Sequence, residues 1–177
     1  MTRLKKSYTE EETNQAYKCY EVFCTVNGNK TTLEKFKKFR YRRIFYELIV
    51  SYDNFGTVIP IEDYIKYLVE EAIPFNKWGN LNTFRDFVLI YTKEEDCEKG
   101  IERSQKFLSE KNCNIETISD TRLIMYLESG NVSPWLILKY YPEFFDYVIK
   151  ETQNTYVKNI LSLYFWKLKE QREKVAN

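Results

Sequence analysis

The chain has 177 residues, with 27 Lys and Arg against 26 Asp and Glu, and aromatic residues make up 17% of it. With no histidine, it lacks the commonest general base, the Ser-His and Cys-His nucleophile pairs and the commonest transition-metal ligand. Its four cysteines form no C-x-x-C pair, and no apolar run reaches the roughly 18 to 20 residues that span a bilayer.

The start, Met1-Thr2-Arg3-Leu4-Lys5-Lys6, has no apolar signal region, which predicts a cytoplasmic protein with reduced thiols. Thr9-Glu10-Glu11-Glu12 reads as a capping box whose acids suit the positive end of the helix dipole. Tyr17, Cys19, Tyr20, Phe23 and Cys24 supply that helix's apolar face, and Asn27-Gly28-Asn29 stops it. Thr31-Thr32-Leu33-Glu34 reads as a second capping box, and Ser51 to Gly56 as a turn. Thr57-Val58-Ile59 could be a brief strand without an obvious partner.

After Pro60, the three- and four-residue spacing of Ile61, Tyr64, Ile65, Leu68 and Val69 predicts a helix. Pro74 and Asn76-Lys77-Trp78-Gly79-Asn80 break the pattern and place a domain boundary at 75/76. Phe84, Phe87, Val88 and Tyr91 resume the helical spacing, and Thr92-Lys93-Glu94-Glu95 reads as a third box. Asp120 is the expected cap of a short helix through Leu123, Ile124 and Leu127. Ser133-Pro134 and Pro142 open two more helices, the second through Phe145, Val148 and Ile149. A last stripe uses Val157, Ile160, Leu161, Tyr164 and Leu168. The expected fold is all-α, in two small helical domains, 1–75 and 76–177.

Charge is unevenly spread: residues 1–60 carry a net +4, residues 61–130 carry −5 and residues 131–177 carry +2. Within Leu33 to Tyr46, six of fourteen residues are Lys or Arg, five are aromatic and only Glu34 is acidic. Cations neutralise phosphates and release counterions, and aromatic faces offer bases a stacking platform, so this composition points to nucleic acid. The competing reading makes the aromatics core and the cations its solvated face. A single straight helix over 33–50 would be both charged and apolar nearly all round, which predicts two helices or a bend near Arg40. Long Lys and Arg stems would then pass the aromatics.

Other constellations are weaker. Glu94-Glu95-Asp96-Cys97-Glu98 lacks the glycine and ligand spacing of a calcium loop and reads as a solvated helix start. No phosphate-gripping glycine motif is present. Neither Asp146 with Glu151 nor Glu62 with Asp63 differs from surface carboxylates, so an enzyme is not expected, nor a cofactor or metal. Trp135, beside a helix start, could keep one ring face exposed as a partner anchor.

The order of short motifs resembles the helicase-loading protein of T4-type phages. Ala16-Tyr17-Lys18-x-Tyr20 with Asn27-Gly28 looks like that family's opening helix and first turn. Arg42-Arg43-Ile44-Phe45-Tyr46-Glu47-Leu48 with Tyr52, and the Trp78-Gly79-Asn80 link, follow in the same order. Tyr126-Leu127-Glu128-Ser129-Gly130-Asn131-Val132-Ser133 and Leu168-Lys169-Glu170-Gln171-Arg172 look like its carboxy-terminal domain. The near-balanced charge departs from that family's basic character.

The resemblance implies an amino-terminal domain similar to an HMG box that contacts duplex DNA at a fork. It further implies a second domain that faces single strands, a replicative helicase and a single-strand-binding protein in a phage-infected cell. The resulting expectation is a non-enzymatic adaptor that binds forked or single-stranded DNA and loads a helicase in DNA replication. Lys35, Lys37, Lys38, Arg40, Arg42 and Arg43 would hold phosphates, with Lys5 and Lys6 as auxiliary contacts. Such contacts position a protein without reading sequence, so selectivity for DNA shape is expected rather than base preference. The alternative is a small helical protein-binding module, such as a phage inhibitor of a host enzyme. A carboxylate-dependent nuclease comes third.

Overall fold

The structure, a computed structural model, describes residues 7–151 and, beyond them, residues 158, 159, 161–163, 166, 169, 170, 173 and 174. The fold is all-α, with no strand among the described residues, Thr57 to Ile59 included. The chain divides into two compact units, one ending at Phe84 and the other beginning at Arg85.

The first unit opens with α1 (Glu10–Val26), and both halves of its capping box form. The Glu12 amide donates to Thr9 Oγ1 at 3.1 Å, and the Thr9 amide donates to Glu12 Oε1 at 3.0 Å. Asn27 caps the other end, and Gly28 takes the left-handed conformation (φ 80°) that favours glycine. The basic segment splits as its mixed periodicity required: α2 (Leu33–Lys38), a turn over 39–42, then α3 (Arg43–Phe55). The cap of α2 is Thr32 rather than Thr31, accepting from the Lys35 amide at 3.3 Å, so no box with Glu34 forms. The Ser51 to Phe55 stretch is not a turn. It continues α3 up to a left-handed Gly56, because Tyr52 is buried on the same face as Phe45 and Leu48. Pro60 then precedes α4 (Ile61–Glu70), which buries Tyr64, Ile65 and Leu68.

α1 packs against both α3 and α4. Their shared interior is aromatic: Phe36, Phe45 and Tyr64 are fully buried, and Phe45 meets Tyr20, Phe23 and Trp78 edge-on at 5.5 to 5.7 Å. Burying one such ring stabilises by about 1.5–3 kcal/mol, and edge-to-face pairs add about 0.5–1.5 kcal/mol. The polar tips are satisfied inside. Tyr52 Oη donates to Ile59 O, Tyr64 Oη to Trp78 O at 3.1 Å, and Trp78 Nε1 to Ile73 O at 3.0 Å. The Pro74 to Asn80 break, with a 3-10 turn at Phe75–Lys77, therefore lies inside the first unit and is held from within.

The second unit takes most of α5 (Leu81–Glu94), then α6 (Cys97–Glu110), α7 (Asp120–Glu128), α8 (Pro134–Tyr140) and α9 (Pro142–Glu151). Thr92 opens no helix: it lies inside α5, where its hydroxyl donates to Val88 O at 2.7 Å. Asp96 caps α6 instead, accepting from the Glu98 and Lys99 amides. Ser119, one residue before Asp120, caps α7. Ser133 caps α8 with Pro134 in the first turn, as expected. Phe107, Leu123, Leu127, Trp135, Leu136 and Phe144 belong to one apolar cluster that also takes in Leu161. The rest of the expected last stripe, Val157, Ile160, Tyr164 and Leu168, lies outside the described residues, as do the side chains of Phe145, Val148 and Ile149.

An ion pair is set into this unit. Arg103 Nε donates to Glu95 Oε1 at 2.6 Å, and only 8% of the Glu95 side chain is exposed, against 21% for Arg103. Arg103 Nη1 also donates to the carbonyls of Gly130 and Asn131, while Glu95 Oε2 and Arg103 Nη2 are buried without a partner. Gly100 leaves the needed room: a Cβ there would stand 2.7 Å from Glu95 Oε2 and 2.8 Å from Ser133 Oγ.

Candidate nucleic-acid interface

The cations at 35–43 sit on a short helix, a turn and a helix start. In α2, Phe36 is wholly buried and so fixes the inward direction. At about 100° per residue, Lys38 lies nearly opposite Phe36, with Lys35 and Lys37 to either side. All three lysines are exposed, and so are Arg40, Arg42 and Arg43. The six are therefore each open to solvent along one continuous stretch of chain.

Most of them are not neutralised locally. Lys37 stands 4.0 Å from Glu34, and Arg43 Nε donates to Glu47 at 2.5 Å; both are exposed pairs of the kind that contributes at most about 1 kcal/mol. Arg42 Nη1 donates to Phe39 O at 3.1 Å, and the Arg40 guanidinium lies over the Tyr41 ring at 5.5 Å. Among the described residues, Lys35, Lys38, Arg40 and Arg42 pair with no carboxylate. Lys5 and Lys6 lie outside the described residues.

The aromatic half of the segment behaves differently. Phe36 and Phe45 are core, Phe39 is half-buried against Tyr20, and Tyr46 stacks on Tyr8 at 3.7 Å. A row of base-stacking rings is therefore not what this segment presents. Tyr41 alone of its five aromatics is mostly outward, at 47% exposure, with its ring 5.8 Å from that of Phe75.

Tyr41 also lines a cleft of about 510 Å³ between one face of α3 and the Phe75 to Asn80 segment. Its buried residues, Leu48 and Trp78, form the floor, and the exposed Asn76 and Asn80 bring two amides to the rim. Gly79 keeps it open beside Ser51, since a Cβ at Gly79 would stand 3.0 Å from Ser51 Oγ. Sequence reasoning missed Phe75, Asn76 and Asn80 as site residues. The only signal for them was the break itself.

Trp135 requires a correction. It is only 2% exposed, and its Nε1–H donates to Glu95 O at 3.2 Å, so no ring face is offered to a partner. Once the indole nitrogen finds a carbonyl, burying the ring costs nothing in lost hydrogen bonds.

The remaining reactive groups are unremarkable as catalysts. Burial, with a smaller contribution from Glu62, pushes the Cys19 thiol up to about 12, and desolvation also raises Cys97. A protonated thiol is a poor nucleophile. Among the described residues, no three Cys, Asp or Glu side chains gather as metal ligands would, and no helix is long and apolar enough to cross a membrane. Comparison with known proteins found no family model that matches the chain, no similar curated protein and no similar solved structure.

Proposed function

We propose that the chain is a non-enzymatic DNA-binding adaptor that holds the phosphate backbone on the outer side of α2 and the turn into α3. The observation that carries this reading is the set of four exposed cations, Lys35, Lys38, Arg40 and Arg42, with no carboxylate partner among the described residues. Unpaired surface cations within eight consecutive positions attract a polyanion, and each phosphate they neutralise releases a counterion. Because the net charge of the whole chain is near zero, that attraction is local to this stretch.

The resemblance to the phage helicase-loading family adds the finer assignment. The DNA is a fork or a single strand, and the protein partners are a replicative helicase and a single-strand-binding protein in the infected cell. A salt series on forked, single-stranded and duplex DNA tests the DNA half. With four phosphates engaged, log affinity falls against log salt with a slope of about −3 to −4. Replacing the four unpaired cations by Ala removes most of that slope. Affinity that ignores both salt and the replacement refutes the assignment.

A further inference from the structure

Beyond the phosphate face, the cleft beside Tyr41 has the chemistry of a base site. It is a half-open hollow, and at about 510 Å³ it falls within the range of roughly 300 to 1,000 Å³ typical of small-molecule sites. Its accessible apolar lining includes the rings of Tyr41 and Phe75 beside Ile44, above the buried Leu48 and Trp78. Every nucleobase carries a π-face that stacks on such rings regardless of sequence. Asn76 and Asn80 carry both donors and acceptors, the complement of a base edge, and Glu47 adds an acceptor.

The cleft adjoins the cations. Arg40 lies over the Tyr41 ring, and Arg43 holds Glu47, which lines the cleft. A base lodged there would have its own backbone passing the basic turn. A paired base cannot enter, because its edge is occupied and its faces are stacked.

We propose that this cleft receives one unpaired nucleobase of a single strand whose phosphates lie along Arg40 and the neighbouring cations, an inference that rests on the polyanion reading above. The cleft would then distinguish single strands from duplex, a distinction the cations cannot make alone.

The test compares the full chain binding a single-stranded oligonucleotide and an abasic oligomer of equal length, which keeps every phosphate and has no base. The intact strand binds about 5- to 150-fold tighter, the range for loss of one stacked base. Tyr41→Ala abolishes that difference, while Tyr41→Phe retains it. The comparison on the unaltered chain needs no variant, so a misfolded Tyr41→Ala does not blunt it. Equal binding of intact and abasic strands overturns the cleft and leaves the polyanion reading standing. Unchanged binding after loss of the four cations, or no binding of either strand, overturns both.

Discussion

Replacing Arg103 by Met tests what holds the second unit together. The change removes the bond to Glu95 and both bonds to the Gly130 and Asn131 carbonyls, leaving a carboxylate whose side chain is 8% exposed without its cation. Breaking one side of a buried ion pair costs about 3–5 kcal/mol, because the remaining charge is stranded. Arg103 is itself 21% exposed, so water can partly replace it, and the lower end applies: about 3 kcal/mol. In urea, with a slope near 2 kcal/mol/M, the midpoint followed by circular dichroism falls by about 1.5 M. Adding Glu95→Gln to Arg103→Met removes the stranded charge and recovers about half of the loss. A single variant that costs under about 1 kcal/mol would place the pair with ordinary surface bridges and refute the argument. So would a double variant no more stable than the single.

Three further outcomes follow from the described geometry. Thr9→Ala opens the capping box of α1 and costs about 1 kcal/mol, read as a shift in the urea midpoint; no shift would mean that solvent replaces the cap fully. Cys19 is protonated in the folded chain up to about 12 but ionises near 9.0 once unfolded, so unfolding releases its proton between those values. Stability from this group is complete below pH 9 and falls above it by up to about 1.4 kcal/mol per pH unit. Cys19→Ala flattens that fall, and parallel curves for the two proteins would contradict the shift. Lys35→Glu with Lys38→Glu leaves stability within about 0.5 kcal/mol, since both side chains are exposed and unpaired; a large loss would show that they support the fold.

The helical class and several helix ends were legible because caps and glycines act locally. The Thr9 to Glu12 box, Ser133-Pro134 and the stop at Asn27-Gly28 need no tertiary partner. Errors came where local chemistry was degenerate or overruled. Thr31 and Thr32 are equivalent as caps on paper, as are Ser119 and Asp120, and composition alone does not separate them. Ser51 to Gly56 has turn composition, but burial of Tyr52 draws the helix through it. The basic segment announced its charge but not that Phe36 and Phe45 would turn inward. That depends on α1, which lies elsewhere in the chain. The cleft was invisible for the same reason, since it joins residues 41–51 to 75–80. Trp135 and Glu95 met through a hydrogen bond across forty positions that no periodicity encodes.

The hydrogen bonds from Tyr64 to the carbonyl of Trp78, and from the Trp78 indole to that of Ile73, have a consequence for recognition. They tether from beneath an irregular segment that would otherwise sample many conformations. A guest entering the hollow above it meets a shape already set and need not bear the entropy of ordering its host. Preorganisation of this kind lets a small contact area hold a ligand, and for the base proposed above it would make the inward-facing hydroxyl of Tyr64 a determinant of affinity without touching the guest.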